Sequence, residues 1–180
     1  TINAVPADAQ QVKYDDQGNN SGLTTAQGNL DFGQVVEFIQ AMGTNASTEP
    51  AKRFYKYARP YRWSRDVIVV PSLESAKSNT PNTDGGFPSG HTAEAGRNAI
   101  AMAYLVPQRY QELIARGMDL GDSRIIAGMH SALDVVGGRI QSIAADVANL
   151  NAMTPEKRQQ AYQQAQTQLM KATNTTNFEA

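Results

Sequence analysis

The stretch 87–104 reads F-P-S-G-H-T-A-E-A-G-R-N-A-I-A-M-A-Y and marks the change from loop to helix that decides the fold class. Residues 61–88 before this change are rich in proline, glycine, serine, asparagine and threonine, which is typical of a long loop. From Ser89 onward, alanines and larger apolar residues recur at helical spacing. No stretch has the strict alternation of a half-buried strand. We therefore expect an all-α fold, a single-domain helical bundle.

Two helices are predicted on the N-terminal side of this stretch. The first follows Asp31 and ends at Gly43. The second is capped by Ser47 or Thr48 and runs to about Ala58. Pro60 is expected to stop it, because the residue before a proline disfavours the α region.

Four more helices are predicted on the C-terminal side, with these bounds: Pro107 to about Gly117, Gly121 to His130, Ala132 to Leu150, and a last one from Thr154. The third of these has an apolar stripe composed of Val135, Ile140, Ile143, Ala144 and Val147. Thr154-Pro155-Glu156 is a favourable helix start, with a cap, a proline in the first turn and an acid beside the helix dipole.

Residues 1–30 are predicted to form an extended or mobile arm, residues 31–152 a helical core, and residues 153–180 a polar helix with a frayed tail.

Bulk composition restricts the classes of function. A net charge of −1 gives no general attraction to nucleic acid. The absence of cysteine excludes disulfides and thiolate chemistry. No apolar run approaches the roughly 18 residues of a membrane span.

The segment 52–60, K-R-F-Y-K-Y-A-R-P, pairs a lysine with an arginine seven positions later. On a continuous helix Lys52 and Arg59 would leave the same face about two turns apart. Lysine offers a compact charge, and arginine offers a planar fork that binds two oxygens of an oxyanion. Taken alone, such a pair is more often a solvated helix face.

Pro88-Ser89-Gly90-His91 lies where the loop becomes a helix. Free N–H groups and the helix dipole at such a point attract an anion. The Ser89 hydroxyl adds a donor, and Gly90 lets the backbone approach closely. The alternative interpretation is an ordinary serine cap followed by a surface histidine.

The third motif is Ser123-Arg124, then five residues, His130, three residues and Asp134. Arg124 adds a guanidinium. His130 and Asp134 could share a helix face or meet across a short connection. Asp134 would then accept a hydrogen bond from one ring nitrogen and fix the tautomer of His130. A structural pair four residues apart is the plainer alternative. The chain has only two histidines, and each lies inside a motif.

Together the motifs read K-x6-R-P, P-S-G-H and S-R-x5-H-x3-D, in that order. The chain resembles the type 2 phosphatidic acid phosphatase superfamily, whose signature contains all three. Over about 87–139 it is most similar to bacterial class A non-specific acid phosphatases, down to the stretch A-R-G-M-D-L-G-D before Ser123. The resemblance covers roughly 47–150.

The resemblance implies a role for each motif residue. It implies that the phosphoryl oxygens are held by Lys52, Arg59, Ser89, Gly90 and Arg124. It implies that His130 is the nucleophile that forms a phospho-histidine, that His91 protonates the leaving oxygen and then activates water, and that Asp134 orients His130. It also implies a helical bundle that needs no metal or other cofactor, with a site that phosphate or vanadate can occupy.

The leading hypothesis is thus a soluble acid phosphatase acting on small phosphorylated substrates. Its partners are expected to include no nucleic acid, and a homo-oligomer is compatible with the sequence. The chain starts at Thr1 and not at Met, which fits either a removed signal peptide or a trimmed sequence; with the signal peptide removed, we expect a periplasmic or secreted protein. The alternatives are a lipid or isoprenyl phosphate phosphatase, a vanadium haloperoxidase and a phosphate-binding module without activity. Tyr61, Trp63 and Phe87 are candidate wall residues of the pocket.

Overall fold

The computed structural model describes residues 29–176 and residue 178. Within this part of the chain the secondary structure is helical, and the only bridge between extended segments is a single pair, Ala58 with Gly85. The predicted all-α class is confirmed. The α-helices are α1 Gly33–Met42, α2 Glu49–Tyr55, α3 Pro60–Trp63, α4 Gly90–Leu105, α5 Tyr110–Ile126, α6 Ala132–Ala152 and α7 Pro155–Thr173; Pro71–Ala76 and Pro107–Arg109 are 3₁₀-helices.

Helix α4 is the centre of the bundle and packs against both α5 and α6. It begins where the sequence predicts, because the Ser89 Oγ accepts a hydrogen bond from the Thr92 N–H at 3.3 Å and caps the helix. Helices α1 and α7 pack on each other at one side of α4. The expected start of α7 is also confirmed, since the Thr154 Oγ1 accepts from the Lys157 N–H.

Small residues let the three central helices approach closely. A Cβ added at Gly138 would lie 2.7 Å from the Ser89 carbonyl oxygen, so α6 passes against the start of α4. A Cβ at Gly117 of α5 would lie 2.7 Å from the Ala99 Cβ of α4. A side chain at either glycine would therefore push two backbones apart.

These contacts correct the prediction for α5. The sequence predicts one helix ending near Gly117 and another from Gly121 to His130. The structure has one continuous helix, Tyr110–Ile126, and His130 lies beyond its end. Both glycines are buried in helix contacts and do not end a helix. Their cost of about 1 kcal/mol each as helix-interior residues is offset by the close packing they permit.

The prediction that this apolar stripe of α6 faces the core is also wrong. Val135 is buried, but Ile140 is 64 % exposed and Ile143 54 %, and Ala144 and Val147 are exposed as well. The buried face consists of small and polar residues together with Val135: Asp134, Gly137, Gly138, Ser142 and Asp146. Because α6 lies close to α4, the buried face of α6 requires small side chains. The pattern of large apolar residues therefore predicts the wrong face.

The segment after α2 departs most from its prediction. Helix α2 ends at Tyr55, and Lys56 adopts a left-handed conformation with φ 50°. The following residues are extended because the Tyr57 carbonyl accepts from the Gly86 N–H and Ala58 pairs with Gly85. Lys52 and Arg59 are therefore not on one helix. Pro60 does not stop α2 but opens α3.

Two apolar clusters stabilise the described part of the chain. The larger joins α1, α4 and α7 and includes Phe38, Met42, Leu105, Ala161 and Ala165. The smaller is formed by Val69, Leu73, Ala127 and Met129, and it anchors the predicted loop 61–88 to the end of α5. That loop is partly helical, with α3 and the 3₁₀-helix Pro71–Ala76 inside it.

Most of the predicted N-terminal arm, residues 1–28, lies outside the described residues, as do Asn177, Glu179 and Ala180 in the tail. No helix of the described residues is both long and apolar enough to cross a membrane.

Candidate active site

The predicted site residues come from six places in the fold. Lys52 is on α2, Arg59 precedes α3, Ser89, Gly90 and His91 are at the start of α4, Arg124 is in the last turn of α5, His130 lies between α5 and α6, and Asp134 is in the first turn of α6. The bundle brings these places together at the N-terminal ends of α4 and α6. The Ser89 N–H donates to the Asp134 carbonyl at 2.9 Å and joins the two ends directly.

His130 and Asp134 form a buried pair. The His130 Nδ1 lies 3.3 Å from the Asp134 Oδ2, and the two side chains are 2 % and 0 % exposed. The contact crosses a short connection, since Ser131 caps α6 and His130 precedes the cap. The same Oδ2 accepts from the Ser131 N–H at 2.8 Å, which completes a capping box. Asp134 therefore holds both the helix start and the imidazole.

Arg59 reaches the other nitrogen of the His130 ring. Its Nη1 lies 3.0 Å from the His130 Nε2 and 3.2 Å from the Met129 carbonyl oxygen. A guanidinium can only donate, so Nε2 must be the acceptor in this contact. The Nδ1 then bears the proton and donates it to Asp134. This is the tautomer whose Nε2 lone pair points away from Asp134 toward the cations.

Lys52 lies beside the P-S-G-H turn. A Cβ added at Gly90 would lie 3.8 Å from the Lys52 Nζ and 3.2 Å from the Thr48 Oγ1. The absence of a side chain at Gly90 therefore keeps the ammonium close to the first turn of α4. The ammonium also pairs with Glu49 on its own helix at 3.0 Å.

Ser89 is fully buried, and its hydroxyl is part of the helix cap. Its Oγ accepts from the Thr92 N–H and, at 2.9 Å, from the Thr92 Oγ1. The oxygen is the acceptor in both contacts, so its own proton can be donated toward the site.

His91 and Arg124 line a cleft between α4 and α5. The cavity volume of this cleft is about 200 Å³, and its other lining residues are Glu94, Ala95, Asn98, Leu120 and Ser123. The Arg124 Nε donates to the neighbouring Ser123 Oγ at 3.3 Å. His91 is exposed and His130 is buried, so only His91 has open access to a leaving group or to water.

The pKa values of both histidines are lowered from the usual 6.5. His91 is an exposed residue, but protein atoms around its ring still displace water, and this partial desolvation is the largest cause; the charges of Arg124, His130, Arg59 and Lys52 follow. For His130, burial again dominates, and Arg59 and Lys52 add to it. Asp134 raises the pKa of His130 but does not outweigh burial.

The candidate wall residues have different surroundings. The Phe87 ring makes an edge contact with Tyr55 and packs over Gly137, so it belongs to the packing below the site. Trp63 donates to the Ala58 carbonyl and is 56 % exposed. Tyr61 approaches Asp84, with 3.5 Å between its hydroxyl and the Oδ2.

Asp84 is the site residue that sequence reasoning missed. It forms a two-point ion pair with Arg59, from Nε to Oδ2 at 2.6 Å and from Nη2 to Oδ1 at 2.9 Å. The available signal was weak: Asp84 is the only acidic residue between Glu74 and Glu94 and lies just before Gly85. No spacing rule connects it to Arg59.

Comparisons with known proteins show the family of this chain. The family model of the PAP2 superfamily matches residues 34–157, which is more than half of the chain. The chain belongs to the PAP2 superfamily. All the predicted site residues lie inside the matched range.

Among curated PAP2 relatives, the chain is 36 % identical over 105 residues to a non-specific acid phosphatase of Salmonella typhi, covering 58 % of this chain and 40 % of the relative. It is 31 % identical over 126 residues to a non-specific acid phosphatase of Providencia stuartii, covering 70 % of this chain and 48 % of the relative. An acid phosphatase of Zymomonas mobilis is 31 % identical over 119 residues, covering 63 % of this chain and 44 % of the relative. The chain thus spans less than half the length of these relatives.

The arrangement can perform in-line transfer of a group with a tetrahedral oxyanion. The two histidines lie within electrostatic range of each other and of the cations Lys52, Arg59 and Arg124, an arrangement chemically suited to such a transfer. Among the described residues, no cluster of three or more His, Asp or Glu side chains could hold a metal ion.

Proposed function

We propose that this protein is a metal-independent phosphomonoesterase that works through a phospho-histidine on His130. The observation that carries the proposal is the linear chain of contacts from Asp134 through the two nitrogens of His130 to Arg59. It leaves one ring nitrogen with a lone pair next to a guanidinium that can bind a phosphoryl oxygen. The family and the names of its relatives support the same reaction class.

In the first step, the phosphoryl oxygens are held by Lys52, Arg59 and Arg124, with the Ser89 hydroxyl and the Gly90 N–H as further donors. The His130 Nε2 attacks phosphorus, and the bond to the ester oxygen breaks. His91 donates a proton to that oxygen, which leaves as an alcohol. Asp134 stabilises the positive charge that develops on His130.

In the second step, His91 is neutral and accepts a proton from water as the water attacks phosphorus. The P–N bond breaks, and His130 recovers its lone pair. Phosphate departs, and the proton that His91 took from water leaves it ready for the next cycle. His91 must change roles between the two steps, and its exposed position gives it access to both the alcohol and water.

Arginine and lysine side chains can take the part that metal ions play in other phosphoryl-transfer enzymes. The transition state spreads negative charge over the equatorial oxygens, and fixed cations stabilise it without reorganisation. Three such cations converge here from α2, the turn before α3 and the end of α5.

One assay tests the proposal directly. Hydrolysis of para-nitrophenyl phosphate is measured with and without EDTA, and bromide oxidation is measured with added vanadate. We expect hydrolysis that EDTA leaves unchanged and vanadate inhibits competitively. Loss of hydrolysis in EDTA with recovery on adding magnesium or zinc would overturn metal independence. Bromide oxidation without hydrolysis would favour the haloperoxidase.

The substrate is proposed to be a small phosphomonoester, and the protein is proposed to act in the periplasm or outside the cell. The resemblance to bacterial class A acid phosphatases supports both. A lipid or isoprenyl phosphate remains the alternative substrate class. Comparing para-nitrophenyl phosphate with phosphatidate in mixed micelles distinguishes the two.

A further inference from the structure

We propose that Asp84 is a positioning residue that holds Arg59 in register with His130. The proposal rests on the function proposed above. Asp84 lies outside the three motifs, on the stretch that leads into Pro88-Ser89-Gly90-His91. Its carboxylate takes two of the three guanidinium nitrogens of Arg59, at 2.6 and 2.9 Å. The third, Nη1, is left facing the His130 Nε2 at 3.0 Å.

The contact with Asp84 thus determines which edge of the Arg59 guanidinium faces His130. A two-point contact to a planar fork fixes both the position and the plane of the group. Without it, the long Arg59 side chain could rotate its Nη1 away from His130. The Arg59 and Asp84 side chains are only 12 % and 16 % exposed, so water competes weakly for this pair.

The backbone holds Asp84 at the correct distance. Gly85 pairs with Ala58, and the Gly86 N–H donates to the Tyr57 carbonyl. The segment that carries Asp84 therefore runs beside the segment that carries Arg59. A Cβ at Gly86 would lie 3.3 Å from the Arg59 Cα and 3.0 Å from the Asp134 Oδ2. The backbone at Gly86 therefore lies close to the backbone of Arg59 and to the carboxylate of Asp134.

A purely electrostatic role and a positioning role for Asp84 predict opposite effects of its removal on anion binding, which allows a clear test. Asp84 is negative and close to a site for an anion. If it acted only through its charge, its removal would strengthen anion binding. If it positions Arg59, its removal weakens anion binding and slows turnover despite the lost repulsion.

The experiment compares Asp84→Asn, Arg59→Ala and the double variant with the unaltered chain. Orthovanadate binding is measured by calorimetry, and kcat is measured with para-nitrophenyl phosphate. We expect Asp84→Asn to weaken vanadate binding and to lower kcat, each by about tenfold or more. In the Arg59→Ala background the same change should have little further effect, because Asp84 acts through Arg59.

Glu74→Gln is the matched control, since Glu74 pairs with Lys77 in the same loop without contacting the site. Its vanadate affinity and kcat should equal those of the unaltered chain. Unchanged or tighter vanadate binding with normal kcat in Asp84→Asn would overturn the proposal. Equal losses from Asp84→Asn with and without Arg59 would also overturn it, because they would indicate a purely structural role.

The two readouts separate this proposal from the proposed function. If the unaltered chain binds vanadate but hydrolyses no phosphomonoester, the proposed function fails. The loss of vanadate affinity in Asp84→Asn, and its disappearance in the Arg59→Ala background, would still support Asp84 as the positioning residue.

Discussion

Each of the two histidines needs a different protonation state, and their surroundings lower both pKa values. In the proposed mechanism, His130 attacks as the neutral imidazole, and His91 must be protonated to act as an acid. Burial and the neighbouring cations favour the neutral form of each ring. The lowered pKa of His130 keeps its ring neutral, and so able to attack, at acidic pH. The lowered pKa of His91 restricts its protonated form to acidic pH.

These shifts predict an acidic optimum for kcat/KM. The rising limb follows loss of the proton from His130, and the falling limb follows loss of the proton from His91. Because both pKa values lie below 6.5, the optimum should also lie below pH 6.5. A pH–rate profile with para-nitrophenyl phosphate checks this. Activity that keeps rising above pH about 8 would remove His91 as the acid.

Replacing Asp134 tests the orientation of His130. Asp134→Asn should lower kcat by about a hundredfold or more, because the amide can present a donor to Nδ1 and select the wrong tautomer. Phosphate affinity, measured by competitive inhibition, should change little. Near-normal turnover in this variant would exclude Asp134 as the orienting group.

Ser131→Ala is the control for Asp134→Asn. It removes the cap oxygen that accepts from the Asp134 N–H but keeps the carboxylate on His130. It should cost about 1 kcal/mol of stability while leaving kcat near that of the unaltered chain.

At the scale of the helices, close packing of small residues aligns the site. Gly138 of α6 lies against the Ser89 carbonyl, at the turn that carries the proposed phosphate-binding groups. Gly117 of α5 lies against Ala95 and Ala99, further along α4. The two glycines make the same kind of contact at different distances from the chemistry.

The same substitution at these two glycines should therefore have different effects. Gly138→Ala must displace the start of α4 and is expected to lower both stability, by about 1–3 kcal/mol, and kcat. Gly117→Ala is expected to change stability, with kcat near normal in the folded protein. Urea denaturation and kcat under folding conditions measure the two effects. Normal kcat in a folded Gly138→Ala variant would contradict this role of the contact.

Sequence predicted several helix starts better than it predicted how the candidate site residues are brought together. The starts of α4 and α7 follow from caps at Ser89 and Thr154, which are local signals. The end of α2 does not, because Tyr57 and Ala58 pair with a segment nearly thirty residues away. Lys52 and Arg59 are near the site as expected, but a bend between two helices brings them there, and not a shared helix face. Asp84 could not be predicted, since its partner is decided by the fold.

For the molecule as a whole, one buried acid links stability to pH. Asp146 of α6 is 1 % exposed, and both of its carboxylate oxygens lack a hydrogen-bond partner among the described residues. Burial raises its pKa to about 7, against the opposing effect of Arg97 on α4. The folded state therefore favours the neutral acid, and the unfolded state releases its proton near pH 4.

A group with a raised acid pKa contributes most to stability at low pH. Between pH about 4 and 7, each unit of rising pH should cost on the order of 1 kcal/mol through Asp146. Asp146→Asn should remove this cost, so its advantage over the unaltered chain should grow across that range and level off above pH 7. Urea denaturation at several pH values checks this, with Asp122→Asn, an exposed partner of Arg139, as the control. A difference that stays constant with pH would contradict the assignment.

The proposed mechanism depends most on phosphorylation of His130 and on proton transfer by His91. The most direct test treats His91→Ala with labelled para-nitrophenyl phosphate, whose good leaving group needs little protonation, and locates the label by mass spectrometry after rapid quenching at alkaline pH. We predict an acid-labile phosphoryl group on the His130 ring that accumulates in His91→Ala and is absent from His130→Ala. Label in His130→Ala but not in His91→Ala would contradict the account and exchange the roles of the two histidines.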